Sequence, residues 1–140
     1  FANSLGADVE FLGYVSGSRL HDTIRSARVA AVPSESYENA QLGVLEAYAL
    51  GKPVIGARIG GIPELIREGE TGCIVPSGDR QALATTIRAF ADMPDDAVQE
   101  IGIQGRQWVE RDFTSKQYLE RIRVLYDSVS RLSSEAATAI

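Results

Sequence analysis

Glu38 and Glu46 stand eight positions apart in a segment with little other charge, and within residues 39–50 Glu46 is the only charged side chain. Apolar side chains point in nearly every direction around the helix expected over residues 39–50, which marks that helix as buried. A lone carboxylate there is costly unless it meets a cation or opens into a polar cleft. An ion pair with Arg58 or Arg28 is one reading of Glu46, and a cleft is the sharper one. The start of the helix has chemistry of its own. Its first free amides belong to Asn39, Ala40, Gln41 and Leu42, and with the positive end of the helix dipole they make an anion site. Glu38 stands beside them, and Glu46 follows two turns later, ~10 Å along the axis. A pyrophosphate at the helix start would carry a sugar toward Glu38 and a ribose toward Glu46. A carboxylate suits each, because it accepts two hydrogen bonds from a vicinal diol. Read without a ligand, Glu38 is an exposed residue that favours the helix dipole.

Short apolar runs alternating with amphipathic segments must position these groups. Strands are expected at residues 9–12, 29–32, 54–56 and 73–75, and helices at 18–28, 39–50, 63–68, from Asp79 onward, 95–112 and 115–130. Thr114 and Gln117 form a capping-box signature for the last of these. The alternation predicts an α/β fold, a Rossmann-like parallel sheet with helices on both faces, followed by a helical last third. Ligands of such sheets collect where strands end and helices begin. The loops at 33–38 and 58–62 both fall at such ends and should share one cleft. Gly60-Gly61 is a turn that also lets backbone come close to a ligand, and Pro63-Glu64 suits the start of a helix. Residues 1–132 read as one domain and 133–140 as a loosely held tail.

A chain of 140 residues with net charge −5 and no Lys/Arg cluster lacks the positive stripe of a nucleic-acid binder. No apolar run reaches the ~18 residues of a spanning helix, so a soluble protein is expected. Cys73 stands alone in an apolar strand, excluding an internal disulfide or a multi-cysteine metal site and fitting a reducing cytoplasm. His21, the only histidine, falls on the outer side of its helix, opposite Leu20 and Ile24. A nucleophilic triad within this chain is not expected.

The string Pro33-Ser34, Glu38, Glu46-Ala47, Gly51-Lys52-Pro53-Val54-Ile55, Gly60-Gly61-Ile62-Pro63-Glu64 and Thr71-Gly72 resembles the C-terminal, donor-binding domain of retaining, family-4-type glycosyltransferases of the GT-B fold. The likeness runs from about Val9 to Phe90. Phe11 through Val15 resembles the strand and loop placed next to the nucleotide base, which implies base contacts from Gly13, Tyr14 and Val15. The resemblance implies that Glu38 is the first acid of a Glu-x7-Glu motif, catalytic and in contact with the donor sugar, and that Glu46 holds the ribose. It further implies that Asn39, Ala40, Gln41 and Leu42 contact the diphosphate and transferred sugar, with Gly60 and Gly61 nearby. Asn39-Ala40-Gln41 replaces the family's common Gly-Phe-Gly, so the sugar does not follow. No cofactor and no metal are implied; the nucleoside-diphosphate sugar is the donor substrate, and the product a glycan or glycolipid as in polysaccharide biosynthesis.

Such enzymes also carry a diphosphate-neutralising Arg and Lys about two strands before Val9, and an N-terminal acceptor-binding domain. The chain is therefore expected to be an incomplete donor domain, inactive by itself, with any peripheral membrane association residing in the other domain. Sheet edges left unpaired would favour a homodimer. Two other readings stand beside the transferase: a GT-B-type nucleotide-sugar epimerase, and a non-catalytic sugar-nucleotide-binding or assembly module.

Overall fold

The computed structural model describes residues 8–138, and of residues 131–138 the backbone alone. The elements are α1 (Gly17–Ser26), β1 (Ala30–Val32), α2 (Leu42–Ala49), β2 (Val54–Arg58), a 3-10 turn (Ile62–Leu65), β3 (Gly72–Pro76), α3 (Arg80–Asp92), α4 (Asp95–Asp112) and α5 (Ser115–Thr138). The three strands lie in the order β1-β2-β3 and are all parallel. Ala30 pairs with Val54, and Ile55 with Cys73. The central strand β2 is buried through Ala57, because both sheet faces are covered. On one face Val54 joins Val44, Ala47 and Tyr48 of α2, Ile62, Ile66 and Trp108. On the other, Ile55 and Val75 meet Phe90 of α3 and Val98 of α4. A strand buried on both sides reads in sequence as an unbroken apolar run, as 54–57 does.

Helix α4 closes the first face. It lies so near the end of α2 that a Cβ on Gly102 would come within 2.0 Å of the Gly51 carbonyl oxygen. Trp108 sits 6.2 Å from the Tyr48 ring and 5.3 Å from the Phe113 ring, with the Arg67 guanidinium 4.3 Å from its centroid. Beneath it the Tyr48 hydroxyl and Thr71 Oγ1 share a buried 2.9 Å hydrogen bond, and Thr71 Oγ1 also accepts from the Arg67 amide at 3.0 Å. Asp79 caps α3 by accepting from the amides of Gln81 and Ala82. Thr114 Oγ1 accepts from the Gln117 amide at 3.3 Å, half of the expected capping box, while Gln117 Oε1 is buried with no hydrogen-bond partner among the described residues.

Four expectations change. Residues 9–12 form no strand, and Phe11 is 82% exposed: a strand needs a neighbour to pair with, and none of the described residues supplies one. Helix α2 begins at Leu42, three residues late, because Gln41 takes an extended conformation at the cap (φ −82°, ψ 91°). Nor is α2 buried all round, since Leu42, Glu46 and Ala49 make an exposed face. Finally, α5 continues to Thr138, past its expected end at residue 130, through the strong helix formers Glu135, Ala136 and Ala137, and residues 139–140 lie outside the described ones. No helix among the described residues is long and apolar enough to cross a membrane.

Candidate functional site

Three loops leave the carboxyl ends of the strands, and hydrogen bonds tie them into one rim. After β1, Ser34 Oγ donates to the Ser36 carbonyl at 3.1 Å, forming a local turn. Ser77, just past β3, donates from Oγ to the Ser34 carbonyl at 3.0 Å. After β2, the Gly61 amide donates to the Glu38 carbonyl at 2.8 Å. The segment between β1 and α2 is thus fastened from both sides, by the β3 loop at Ser34 and by the β2 loop at Glu38. Neither brace is visible locally in the sequence, since each joins residues far apart along the chain.

The contact at Glu38 is close. Gly60 has φ +53°, and a Cβ there would fall 2.5 Å from the Glu38 carbonyl oxygen and 2.7 Å from its nitrogen. A Cβ on Gly61 would fall 2.3 Å from the Asn39 carbonyl oxygen. The expectation at Gly60-Gly61 was close approach to a ligand; the backbone the two glycines admit is the chain's own 38–39 segment. The Glu38 side chain is half-buried, and its carboxylate meets no hydrogen-bond or ion-pair partner among the described residues.

At the start of α2 the Val44 amide bonds back to the Gln41 carbonyl at 3.0 Å, and Gln41 offers no side-chain cap. The amides of residues 39–43 donate to no acceptor among the described residues. Sequence reasoning found four of these five and missed Gly43, because it started the helix too early. Gly43 also has open space where a side chain would stand, with nothing within 4 Å. Unpaired N–H groups at a helix start are the chemistry of an anion site.

Glu46 lies one turn beyond Leu42, about 6 Å along the axis. It is exposed and makes no ion pair among the described residues. The proposed cation Arg28 is engaged elsewhere: its Nε donates to the Phe90 carbonyl at 2.7 Å, and its other nitrogens reach the Met93 carbonyl and Asp95. Arg58 is exposed and has no recorded bond to Glu46. The ion-pair reading of Glu46 is thereby corrected. Leu42 and Leu45 on the same helix border an apolar groove of about 610 Å³, whose far wall is Leu65, Phe113, Tyr118 and Leu119. Gly13, Tyr14 and Val15 lie in the loop ahead of α1, outside the hydrogen bonds that join the rim; Gly13 has φ +64° and Tyr14 is 94% exposed.

The chain as a whole is similar to known proteins. Residues 1–92 match the family model described as glycosyl transferases group 1. Over 87 residues the chain is 42% identical to the D-inositol 3-phosphate glycosyltransferase of Streptomyces coelicolor, covering 62% of this chain and 19% of that protein. Over 126 residues it is 27% identical to the putative colanic acid biosynthesis glycosyltransferase WcaL of Salmonella typhimurium, covering 86% of this chain and 31% of that one. Among solved structures, sucrose-phosphate synthase from Thermosynechococcus elongatus superposes with a TM-score of 0.78 at 30% identity, over 94% of this chain and 33% of that chain. HepE of Anabaena, solved in complex with UDP-glucose, superposes with a TM-score of 0.79 at 24% identity over 91% of this chain and 35% of that one, which establishes likeness of fold. The chain thus spans a fifth to a third of the length of these relatives, and the α/β, Rossmann-like architecture is the GT-B type. By its family match and its neighbours, the chain belongs to the group 1 glycosyltransferases.

Proposed function

We propose that this chain is the donor-binding part of a retaining, family-4-type hexosyltransferase that moves a sugar from a nucleoside diphosphate to a glycan or lipid acceptor. The acceptor comes from a further, N-terminal domain of the same enzyme, and the lone free Cys73 is in keeping with a cytoplasmic location. The observation that carries this reading is the run of unpaired amides at residues 39–43, with the unpaired Glu38 carboxylate before it and Glu46 one turn after it. A diphosphate at the amides has its developing negative charge stabilised as the sugar C1–O bond breaks. The acceptor hydroxyl then bonds to C1 and gives its proton to the departing diphosphate. Glu38 contacts the hydroxyls of the transferred sugar, and Glu46 accepts hydrogen bonds from the ribose diol. Tyr14 and its neighbours Gly13 and Val15 face the base. The UDP-glucose complex of a protein of the same fold supports a nucleotide-sugar ligand.

Backbone amide shifts titrated with UDP, GDP and ADP test the site and the base preference together. Movement concentrated at residues 39–43 and at Gly60 and Gly61 is expected. Saturable binding that leaves those amides unmoved places the nucleotide elsewhere and removes the physical basis of the reading.

A further inference from the structure

We propose that Gly60 and Gly61 are positioning residues for Glu38: the absence of side chains on this turn fixes where the backbone of Glu38 and Asn39 runs, and through it where the Glu38 carboxylate stands. The proposal rests on the reading of Glu38 as a group in contact with the donor sugar. Gly61 itself has φ −83° and ψ −2°, a conformation open to any residue, so nothing in its own backbone calls for glycine. What calls for it is the Asn39 carbonyl oxygen, 2.3 Å from where a Cβ would be. The atoms crowding both glycines are backbone atoms, which cannot swing aside as a flexible side chain would.

The turn is the firmer partner. Ile62, which follows it, is fully buried in the α2-side core, the Ile59 amide bonds to the Ala57 carbonyl at 2.9 Å, and the Glu64 amide bonds to the Gly61 carbonyl at 3.2 Å. The 33–41 loop has no regular structure. Added bulk at the turn is therefore relieved by moving the loop. The Glu38 carboxylate has no hydrogen bond or ion pair of its own among the described residues, so it travels with its backbone. Restoring an ordinary contact at Gly61 from 2.3 Å requires a shift of about 1 Å, and a misplacement of that size at a reacting centre costs ~100-fold in rate.

The test uses the full-length enzyme, offered UDP-glucose, ADP-glucose and GDP-mannose in turn, with kinetics taken on the sugar turned over fastest. Gly61→Ala is compared with Glu38→Ala and with the double variant. A kcat lowered ~10- to 100-fold in Gly61→Ala, a smaller change in donor KM, and no further loss when Gly61→Ala is added to Glu38→Ala are expected. Additive losses in the double variant, or wild-type kinetics for Gly61→Ala beside an impaired Glu38→Ala, overturn the positioning role. An unimpaired Glu38→Ala overturns the reading of Glu38 itself, and the proposal with it. Hydrogen exchange of the wild-type enzyme gives a measurement free of folding effects. The Gly61 amide, bonded to Glu38, should gain protection when the sugar nucleotide is bound; unchanged protection at saturation also overturns the proposal.

Discussion

Replacing Glu46 separates a ligand contact from a structural one, because the two roles predict opposite pairs of results. In the fold Glu46 is exposed on α2, with no ion pair among the described residues and with its expected cation Arg28 bonded to the α3–α4 junction. Removing an exposed, unpaired charge from a helix surface changes stability by about 0.5 kcal/mol or less, and alanine is at least as good a helix former as glutamate. Binding is a different matter. A carboxylate that accepts hydrogen bonds from a diol loses ~1.5–3 kcal/mol on truncation, the range for bonds to a charged group. At ~1.4 kcal/mol per tenfold, that is a donor affinity reduced roughly 10- to 150-fold. Ribose contacts are common to ground and transition states, so the loss belongs in KM, with kcat nearly unchanged. The assay is steady-state kinetics of full-length Glu46→Ala in donor concentration, beside urea unfolding of the same variant. A donor KM equal to wild type, together with a stability loss above about 1 kcal/mol, would refute the reasoning and return Glu46 to a structural role.

Thr71→Val should cost more stability than Tyr48→Phe, about 2–4 against about 1–2 kcal/mol, because it strands both the Tyr48 hydroxyl and the Arg67 amide, whereas Tyr48→Phe leaves the Arg67 bond in place; urea melts of both rank them. Burial pushes the Tyr48 phenol up from 10.0 to about 12, so with rising pH the unfolded chain releases this proton first and stability falls across that window. In Tyr48→Phe that part of the alkaline decline should vanish, and a decline of unchanged slope would contradict the assignment. Gly43→Ala should raise stability by ~0.5–1 kcal/mol, as a Cβ there meets nothing within 4 Å, while weakening nucleoside-diphosphate binding by filling the space above the free amides; thermal melts and calorimetric titration read the two effects. Gly102→Ala forces a Cβ against the Gly51 carbonyl from 2.0 Å, and should cost ~1–3 kcal/mol or more, a loss that an unfolding curve matching wild type would disprove.

What the sequence made legible were the features decided by neighbours along the chain. The apolar run at 54–56 after Gly51-Lys52-Pro53 reads as a strand and is found within β2, Val54–Arg58, and Asp79 ahead of a 3.6-residue periodicity, where a helix was expected to begin, caps α3. Failures came where a distant partner decides. Residues 9–12 have a strand's composition, but strand formation requires a neighbour's hydrogen bonds. The start of α2 is displaced by the extended Gln41 at its cap, on a loop whose Glu38 is held by Gly61, twenty-three positions later in the chain. Spacing singled out the two acids, yet the premise that Glu46 lies on a fully buried helix was wrong. Apolar residues all round α2 suggested complete burial, whereas Leu42 is 64% exposed and shares its face with Glu46.

That exposed face shows how a short helix can hold outward-facing side chains in a fixed direction. On its inner side Val44, Ala47 and Tyr48 are all within 1% of complete burial, packed against β2 and against Trp108 of α4. Such packing leaves α2 little freedom to rotate, since turning it would expose this apolar surface at ~25 cal/mol per Å². Its outer residues consequently need no partners of their own to hold direction. The loop ahead of α2 lacks that support, and hydrogen bonds at Ser34 and Glu38 take its place. Glu46 is oriented by a core, and Glu38 by the Gly61 bond to its own carbonyl and the Ser77 bond to Ser34 on the same loop. A perturbation near Gly60 and Gly61 can therefore displace Glu38 while leaving Glu46 in place, which a single rigid scaffold for both acids would not allow.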